Sequence, residues 1–233
     1  MILILNQFSE NDPAPTSRYL KEWADDLRSQ GKKVQWISSS SSYRKSPRFF
    51  LFRILRDFSA LLGLGIRGIT ALSPSLIITS SSPPGMLIMA TLLKLWHRVP
   101  LIHWAMDIHP DLTFALGEKT PFRSFFKKTM ALCYPYCDRV LTLDEGMKNH
   151  LLKTYHVSAL VTPLWPLHEI SFFPKVTPLA PPRWTYSGNL GKAHEWITLL
   201  ETQHELEKRG TPFVLRLQGN AFQRLSLDLF RPR

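Results

Sequence analysis

The sequence has little cysteine, a deficit of acidic residues and no long apolar run. Its two cysteines, Cys133 and Cys137, are too few for a disulfide framework or a four-ligand zinc site, so we interpret them as packing residues in a reducing compartment. The longest apolar stretch, Pro84–Trp96, contains Lys94 and falls short of the roughly 20 residues of a membrane-spanning helix. The apolar start Met1–Leu5 is likewise too short for a secretory signal.

The charge is strongly one-sided. Across 233 residues, 29 Lys and Arg oppose 18 Asp and Glu, which gives a net charge of +11. This charge balance favours an anionic partner. The candidates are a nucleic acid, a phosphorylated small molecule and an acidic membrane surface. The 44% of hydrophobic residues is enough for a packed core and excludes a disordered chain.

Short apolar runs alternate with helical patterns along most of the chain. Strands are predicted at Ile2–Leu5, Val34–Ile37, Leu76–Thr79, Pro100–Trp104 and Val140–Leu143. Helices are predicted from an N-cap at Thr16 to about Gly31, and at Gly85–His97, Phe122–Cys133 and Glu145–Lys153. Such alternation predicts an α/β fold with a doubly wound parallel sheet covered on both faces.

A change of composition predicts a domain boundary. The segment Thr162–Pro182 holds six prolines, which disfavour helices and central strands. We therefore expect an N-terminal domain at 1–165, a linker at 166–182 and a partial second domain at 183–233. The second part is predicted to be a βαβ unit, with elements at Trp184–Ser187, Glu195–Arg209 and Pro212–Gln218.

The region Tyr43–Thr70 concentrates positive charge among aromatic and aliphatic residues. Its basic residues face the single acid Asp57, and they are Arg44, Lys45, Arg48, Arg53, Arg56 and Arg67. A basic helix with an aromatic face suits the interface of an anionic bilayer. The alternative is an ordinary core-facing helix with a solvated basic rim.

The segment Tyr186–His194 holds two glycines and Lys192 between a predicted strand and a predicted helix. Glycines allow close backbone approach, and a helix N-terminus presents free N–H groups to phosphate. The alternative is a structural turn.

Several segments together resemble the GT-B glycosyltransferases of family 4, which build bacterial polysaccharides. Tyr186–His194 is similar to the opening loop of that family's nucleotide-binding domain. Further similar segments follow in the family's order, at Ile2–Tyr19, Met106–Gly117, Leu141–Leu151 and Thr162–Trp165. Three positions depart from the family pattern, namely His109, Asp111 and Leu164, where Trp, Glu and Asn are usual. The family's later βα units are not in this sequence, and we expect a truncated second domain.

The resemblance implies a GT-B-like fold with two Rossmann-like domains, the second of them partial. It implies retaining transfer of a sugar from a nucleotide-sugar to a lipid-linked or saccharide acceptor in surface polysaccharide synthesis, with neither a metal nor another cofactor. The donor diphosphate would be bound by Gly188, Asn189, Gly191, Lys192 and His194.

The same resemblance makes the N-terminal domain the side that faces the sugar and the acceptor. Asp107 follows a predicted strand at its carboxyl end, where open α/β sheets place ligands. With His109 and His103 it forms the candidate catalytic group, and Asn6 and Arg18 are candidates for the acceptor cleft. The alternatives are a helix N-cap for Asp107, a surface residue for His109 and a hydrogen-bonded core residue for His103.

Other functions stay open at this point. The chain could be a non-catalytic or inactive subunit that needs a partner polypeptide to supply the donor domain. A nucleotide-sugar epimerase would share the architecture. Nucleic-acid binding is not expected, because no recognition helix, paired aromatic motif or zinc module accompanies the charge. We expect a cytoplasmic protein, peripheral on the inner face of the cytoplasmic membrane.

Overall fold

The computed structural model describes residues 1–39, 50–117, 123–165, 182–187, 196–211 and 214–218. The chain forms two compact units, Met1–Glu169 and Ile170–Arg233. Because residues 166–181 lie outside the described part, the predicted bounds of domain and linker stay a prediction.

The first unit is a six-stranded parallel sheet in the order β2-β1-β3-β4-β5-β6. Its strands are β1 Ile2–Asn6, β2 Val34–Ser38, β3 Leu76–Ser80, β4 Leu101–Ala105, β5 Arg139–Thr142 and β6 Leu160–Val161. Its helices are α1 Pro15–Ser29, α2 Phe50–Ile69, α3 Met86–His97, α4 Asp111–Ala115, α5 Arg123–Cys133 and α6 Glu145–Tyr155.

Alternate residues of the central strands feed two separate cores. Leu3 and Leu5 of β1 pack with buried residues of α2, α3, α5 and α6, whereas Ile2 and Ile4 pack with residues of α1 such as Leu20. A strand buried on both sides reads as a continuous apolar run, which is the pattern that predicted β1. The doubly wound parallel sheet expected from the sequence is therefore confirmed.

The second unit contains a two-stranded parallel sheet in its described part. Strands β7 Arg183–Ser187 and β8 Val214–Gln218 are joined through α7 Trp196–Lys208. Tyr186, Trp196, Leu200 and Leu217 pack together between the helix and the strands. The predicted βαβ unit is confirmed as a sheet separate from the first.

One local prediction is wrong, and two short elements were not predicted. Helix α1 begins at Pro15 with Ala14 as its N-cap, so the predicted cap at Thr16 is wrong. Proline suits the first helical position, since that N–H has no partner within a helix. The short elements α4 and β6 were not predicted, because five residues and two residues carry no readable period.

The cysteines behave as predicted. Cys133 is buried at the end of α5 as part of the core, and Cys137 packs against the same core as a free thiol. Burial raises the pKa of the Cys137 thiol to about 12. Among the helices of the described residues, none combines the length and the apolar character that crossing a bilayer requires.

Candidate functional site

The carboxyl ends of the parallel strands bring buried polar side chains to one edge of the first sheet. Asn6 ends β1, Ser80 ends β3 and Thr142 ends β5, and all three are fully buried. The serine Ser80 donates to Asn6 Oδ1 at 2.9 Å, and Asn6 Nδ2 donates to Ser17 Oγ at 3.0 Å. Both ends of the Asn6 amide are thus hydrogen-bonded within the fold, and they hold β1, β3 and the start of α1 together.

Asp107 lies at this edge with an exposed side chain. Its backbone N–H donates to Ser81 Oγ at 3.0 Å, which ties the loop after β4 to the loop after β3. The alternative role as a helix N-cap is wrong, because the N-cap of the following helix α4 is Pro110. The carboxylate of Asp107 is therefore available to a ligand at the carboxyl edge.

His109 lies two residues further on and is half-buried. Its Nδ1 is buried and has no hydrogen-bond partner among the described residues. Burial lowers the pKa of His109, while the charge of Asp107 acts in the opposite direction. Burial thus favours the neutral imidazole over the charged one, and the neutral form is the one that can accept a proton.

His103 lies inside β4 and is only 1% exposed. Burial lowers its pKa to about 3, and its ring meets the Tyr134 ring edge-on at a centroid distance of 5.9 Å. Neither His103 Nδ1 nor the Tyr134 hydroxyl has a hydrogen-bond partner in the described part of the chain. A side chain this deep cannot contact a ligand in this conformation, so the structure separates His103 from Asp107.

Arg18 occupies the first turns of α1 and is half-buried. The hydroxyl of its neighbour Ser17 accepts the hydrogen bond from the Asn6 side-chain amide. The start of α1 therefore brings the backbone of Arg18 close to Asn6, and the role of both residues in an acceptor cleft stays a prediction.

A second polar cluster, which the sequence did not indicate, surrounds Asp111 at the start of α4. The Tyr155 hydroxyl donates to Asp111 Oδ2 at 2.6 Å, and His150 Nε2 lies 3.3 Å from the same oxygen. Lys127 Nζ lies 3.8 Å from Asp111 Oδ1. Burial and the hydrogen bond to this carboxylate raise the pKa of Tyr155. The cluster fixes α4 between α5 and α6.

The predicted diphosphate loop lies outside the described residues, so the roles of Gly188, Asn189, Gly191, Lys192 and His194 stay predictions. Its surroundings agree with the expectation, since β7 ends at Ser187 and α7 begins at Trp196. No group of three His, Cys, Asp or Glu side chains within the described ranges is arranged to hold a metal ion.

Sequence reasoning missed Ser80 and Ser81. The signal was present, because both follow the apolar run of β3 at its carboxyl end, where open α/β sheets bind ligands.

The six-stranded parallel sheet followed by a second α/β unit is the GT-B class of fold, as solved structures show. The glycotransferase of kitacinnamycin matches at a TM-score of 0.50 and 12% identity, over 93% of this chain and 65% of that one. A UGT transferase from Siraitia grosvenorii, solved in complex with UDP, matches at 0.52 and 11%, over 94% and 63%. This chain therefore spans slightly less than two thirds of either protein.

The family is shown by the sequence itself. The model of Glycosyltransferase Family 4 matches residues 16–166, and the chain belongs to that family. The matched range contains Arg18, Asp107 and His109 and ends before the diphosphate loop. No curated protein matches the chain.

Proposed function

We propose that the protein is a retaining glycosyltransferase that moves a sugar from a nucleotide-sugar to a lipid-linked or saccharide acceptor in surface polysaccharide synthesis. The observation that carries the proposal is the family match over residues 16–166, which includes the carboxyl edge with its exposed Asp107. Open α/β sheets bind ligands at this edge.

Asp107 and His109 are the groups that we propose to act on the sugar or the acceptor. The Asp107 carboxylate can accept a hydrogen bond from a sugar hydroxyl, and a neutral His109 can take up the acceptor's proton. Asn6 and His103 are buried, and we assign Asn6 to the support of the edge and His103 to the core instead of to contact with the substrate. Arg18 remains a candidate for an anionic group of the acceptor.

The donor would be held by the loop between β7 and α7. Negative charge develops on the diphosphate as it leaves, and Lys192 with the backbone N–H groups of Gly188–Gly191 would stabilise it there. We propose that this clamp works without a metal, as the family resemblance implies. The reaction would take place in the cytoplasm, at the inner face of the cytoplasmic membrane.

The test compares variants in a form of the protein joined to the donor-side βα units of a family 4 relative. Asp107→Asn should lower the transfer rate at least about a hundredfold and leave nucleotide affinity within about twofold, because it acts on the sugar or acceptor and not on the phosphates. Asp26→Asn, on the exposed side of α1, is the matched control. Full turnover by Asp107→Asn would remove Asp107 from the mechanism, and His109→Gln would then be the decisive variant.

A second candidate function is that of a non-catalytic subunit completed by a partner polypeptide. It is prompted by the comparison with solved structures, because this chain spans 65% and 63% of the two glycosyltransferases that it matches. The chain alone and the chain mixed with a separately expressed donor domain should be assayed for donor hydrolysis. Hydrolysis that requires the added domain supports the subunit, whereas hydrolysis by the chain alone excludes it.

A further inference from the structure

Helix α2 carries a row of large apolar side chains that face solvent. They recur at the three- and four-residue spacing of one helix face and are each 45% to 64% exposed. The row consists of Phe52, Leu55, Phe58, Leu62, Ile66 and Ile69. We call it the outer row of α2. Exposed apolar surfaces of this extent mark interaction sites.

The outer row is distinct from the face that α2 turns to the core. Leu64 is fully buried, and the backbone at Gly65 and Gly68 lies against Met89 and Leu93 of α3. A surface helix of a soluble protein normally pairs one apolar face with a polar one. Helix α2 is apolar on two sides, and packing on the sheet accounts for only one of them.

The contacts with α3 show where α2 extends. Leu61 meets Gly85 at the beginning of α3, and Gly68 meets Leu93 near its end, so the two helices run side by side in the same direction. Residues 50–60 therefore continue past the start of α3 by about 16 Å at 1.5 Å per residue. Since α3 starts at the carboxyl edge of the sheet, Phe52 and Phe58 lie at the same end of the unit as Asp107.

The charge around the outer row is positive. Arg67 is exposed on the flank of α2. Arg56 is paired with Asp57, with Nη2 2.8 Å from Asp57 Oδ1, so these two residues add no net charge. The sequence adds Arg44, Lys45 and Arg48 immediately before the helix. The neighbouring helix α3 presents Trp96, which is 65% exposed, and Trp is enriched where a bilayer meets water.

We propose that the outer row of α2 docks this protein on the surface of an anionic phospholipid bilayer. In that arrangement the helix lies in the plane of the interface, with its phenylalanine and leucine side chains among the headgroups and upper acyl chains. A second copy of the chain fits less well, because a symmetric contact would bring the same basic flanks together, and like charges facing each other oppose association.

Docking through α2 would place the carboxyl edge close to the lipid. A lipid-linked acceptor could then reach Asp107 without leaving the bilayer, and this corollary rests on the proposed sugar transfer. The docking itself does not, since vesicle binding is measured without donor or acceptor. Failure to bind vesicles and failure to transfer sugar are therefore separate results.

The test is co-sedimentation of the full chain with vesicles of phosphatidylcholine alone or mixed with phosphatidylglycerol. We expect binding to the mixed vesicles only, and release when ionic strength rises from about 0.1 M to about 1 M, which shortens the Debye length from about 10 Å to about 3 Å. The double variant Phe58→Gln/Leu62→Gln should lower the partition coefficient roughly tenfold or more.

A control pair with the same exposure lies elsewhere on the unit. Phe125 on α5 matches Phe58 at 64%, and Leu152 on α6 is 51% exposed against 50% for Leu62. Phe125→Gln/Leu152→Gln should bind vesicles like the wild type, and circular dichroism should show that both double variants are folded. Equal loss of binding in the control, or normal binding by Phe58→Gln/Leu62→Gln, would overturn the proposal.

Two other results would also overturn it. One is a wild type that does not bind the mixed vesicles and sediments as a dimer, while Phe58→Gln/Leu62→Gln sediments as a monomer. The outer row of α2 would then be an interface between two copies of the chain. The other is salt-sensitive binding to duplex DNA without binding to the mixed vesicles.

Discussion

The backbone N–H of Asp107 donates to the side-chain oxygen of Ser81 over 3.0 Å. The donor follows β4 and the acceptor follows β3, so a single bond connects the ends of two neighbouring strands. Ser81 is buried, whereas the Asp107 side chain is exposed. The bond therefore fixes the backbone from which the Asp107 carboxylate reaches the carboxyl edge.

Removing the Ser81 hydroxyl should weaken the attachment of the Asp107 loop and leave the Asp107 side chain in place. We expect Ser81→Ala to lower the free energy of unfolding by about 1 kcal/mol, the net worth of a typical buried hydrogen bond, as measured by urea denaturation. In the form completed with a donor domain, kcat should fall roughly tenfold and nucleotide affinity should be unchanged, because orientation and not binding is lost. Ser124→Ala on the exposed side of α5 is the control, and an equal effect there would contradict the role of Ser81.

The packing of α2 on α3 gives a second prediction. Replacing glycine by alanine should raise the stability of the protein at one position of α2 and lower it at another. A Cβ at Gly63 meets no atom within 4 Å, whereas a Cβ at Gly68 would lie 2.4 Å from Leu93 Cδ1, which is itself buried. Gly63→Ala should therefore stabilise the protein by about 0.5–1 kcal/mol through helix propensity. Gly68→Ala should lose that gain to overpacking, which costs about 1–3 kcal/mol. Thermal unfolding of both variants checks the order, and a more stable Gly68→Ala would contradict the close approach of the two helices.

Much of the first unit could be predicted because its strands are buried on both sides. The runs Ile2–Leu5 and Leu76–Thr79 are continuous and apolar, and the helices between such runs show the helical period. The region of α2 resisted prediction for a physical reason. Its apolar residues are too many for one face, and the sequence cannot tell which of them pack on the sheet.

The candidate site was predictable only where topology places it. Asp107 comes directly after a strand, and the rule that ligands lie at carboxyl ends applies to it without side-chain detail. His103 is also close in sequence to the end of β4, but it lies within the strand and shares the buried face of Leu101 and Ala105. Only the packing of Tyr134 against that face shows that His103 belongs to the core.

The predicted donor loop between β7 and α7 gives a further prediction. Lys192→Ala should weaken nucleoside-diphosphate binding by about 1.5–3 kcal/mol, the usual worth of a hydrogen bond to a charged group. Gly188→Val should be at least as harmful, because a side chain there blocks close approach of the backbone. Isothermal titration of a form completed with a donor domain measures both. Normal binding by Lys192→Ala would leave this loop as a structural turn.

The buried His103 makes the stability of the protein sensitive to acid. The pKa of His103 is about 3 in the folded protein and 6.5 in an ordinary environment. Below pH 6.5 the imidazole therefore binds a proton in the unfolded chain and stays unprotonated in the folded one. Stability is then lost as the pH falls from 6.5 towards 3, at a rate that approaches about 1.4 kcal/mol per pH unit.

Replacing the imidazole should remove that loss. Urea denaturation of the wild type and of His103→Phe at pH 6.5 and pH 5 should show a stability difference that shifts by about 1.5 kcal/mol in favour of the variant at the lower pH. Tyr134→Phe is the matched control, because it also removes a buried polar atom that has no partner among the described residues, yet its hydroxyl does not titrate in acid. It should change stability equally at both pH values. If the wild type and His103→Phe lost stability in parallel, the pKa of His103 would be the same in the folded and unfolded protein, which would contradict the lowering by burial.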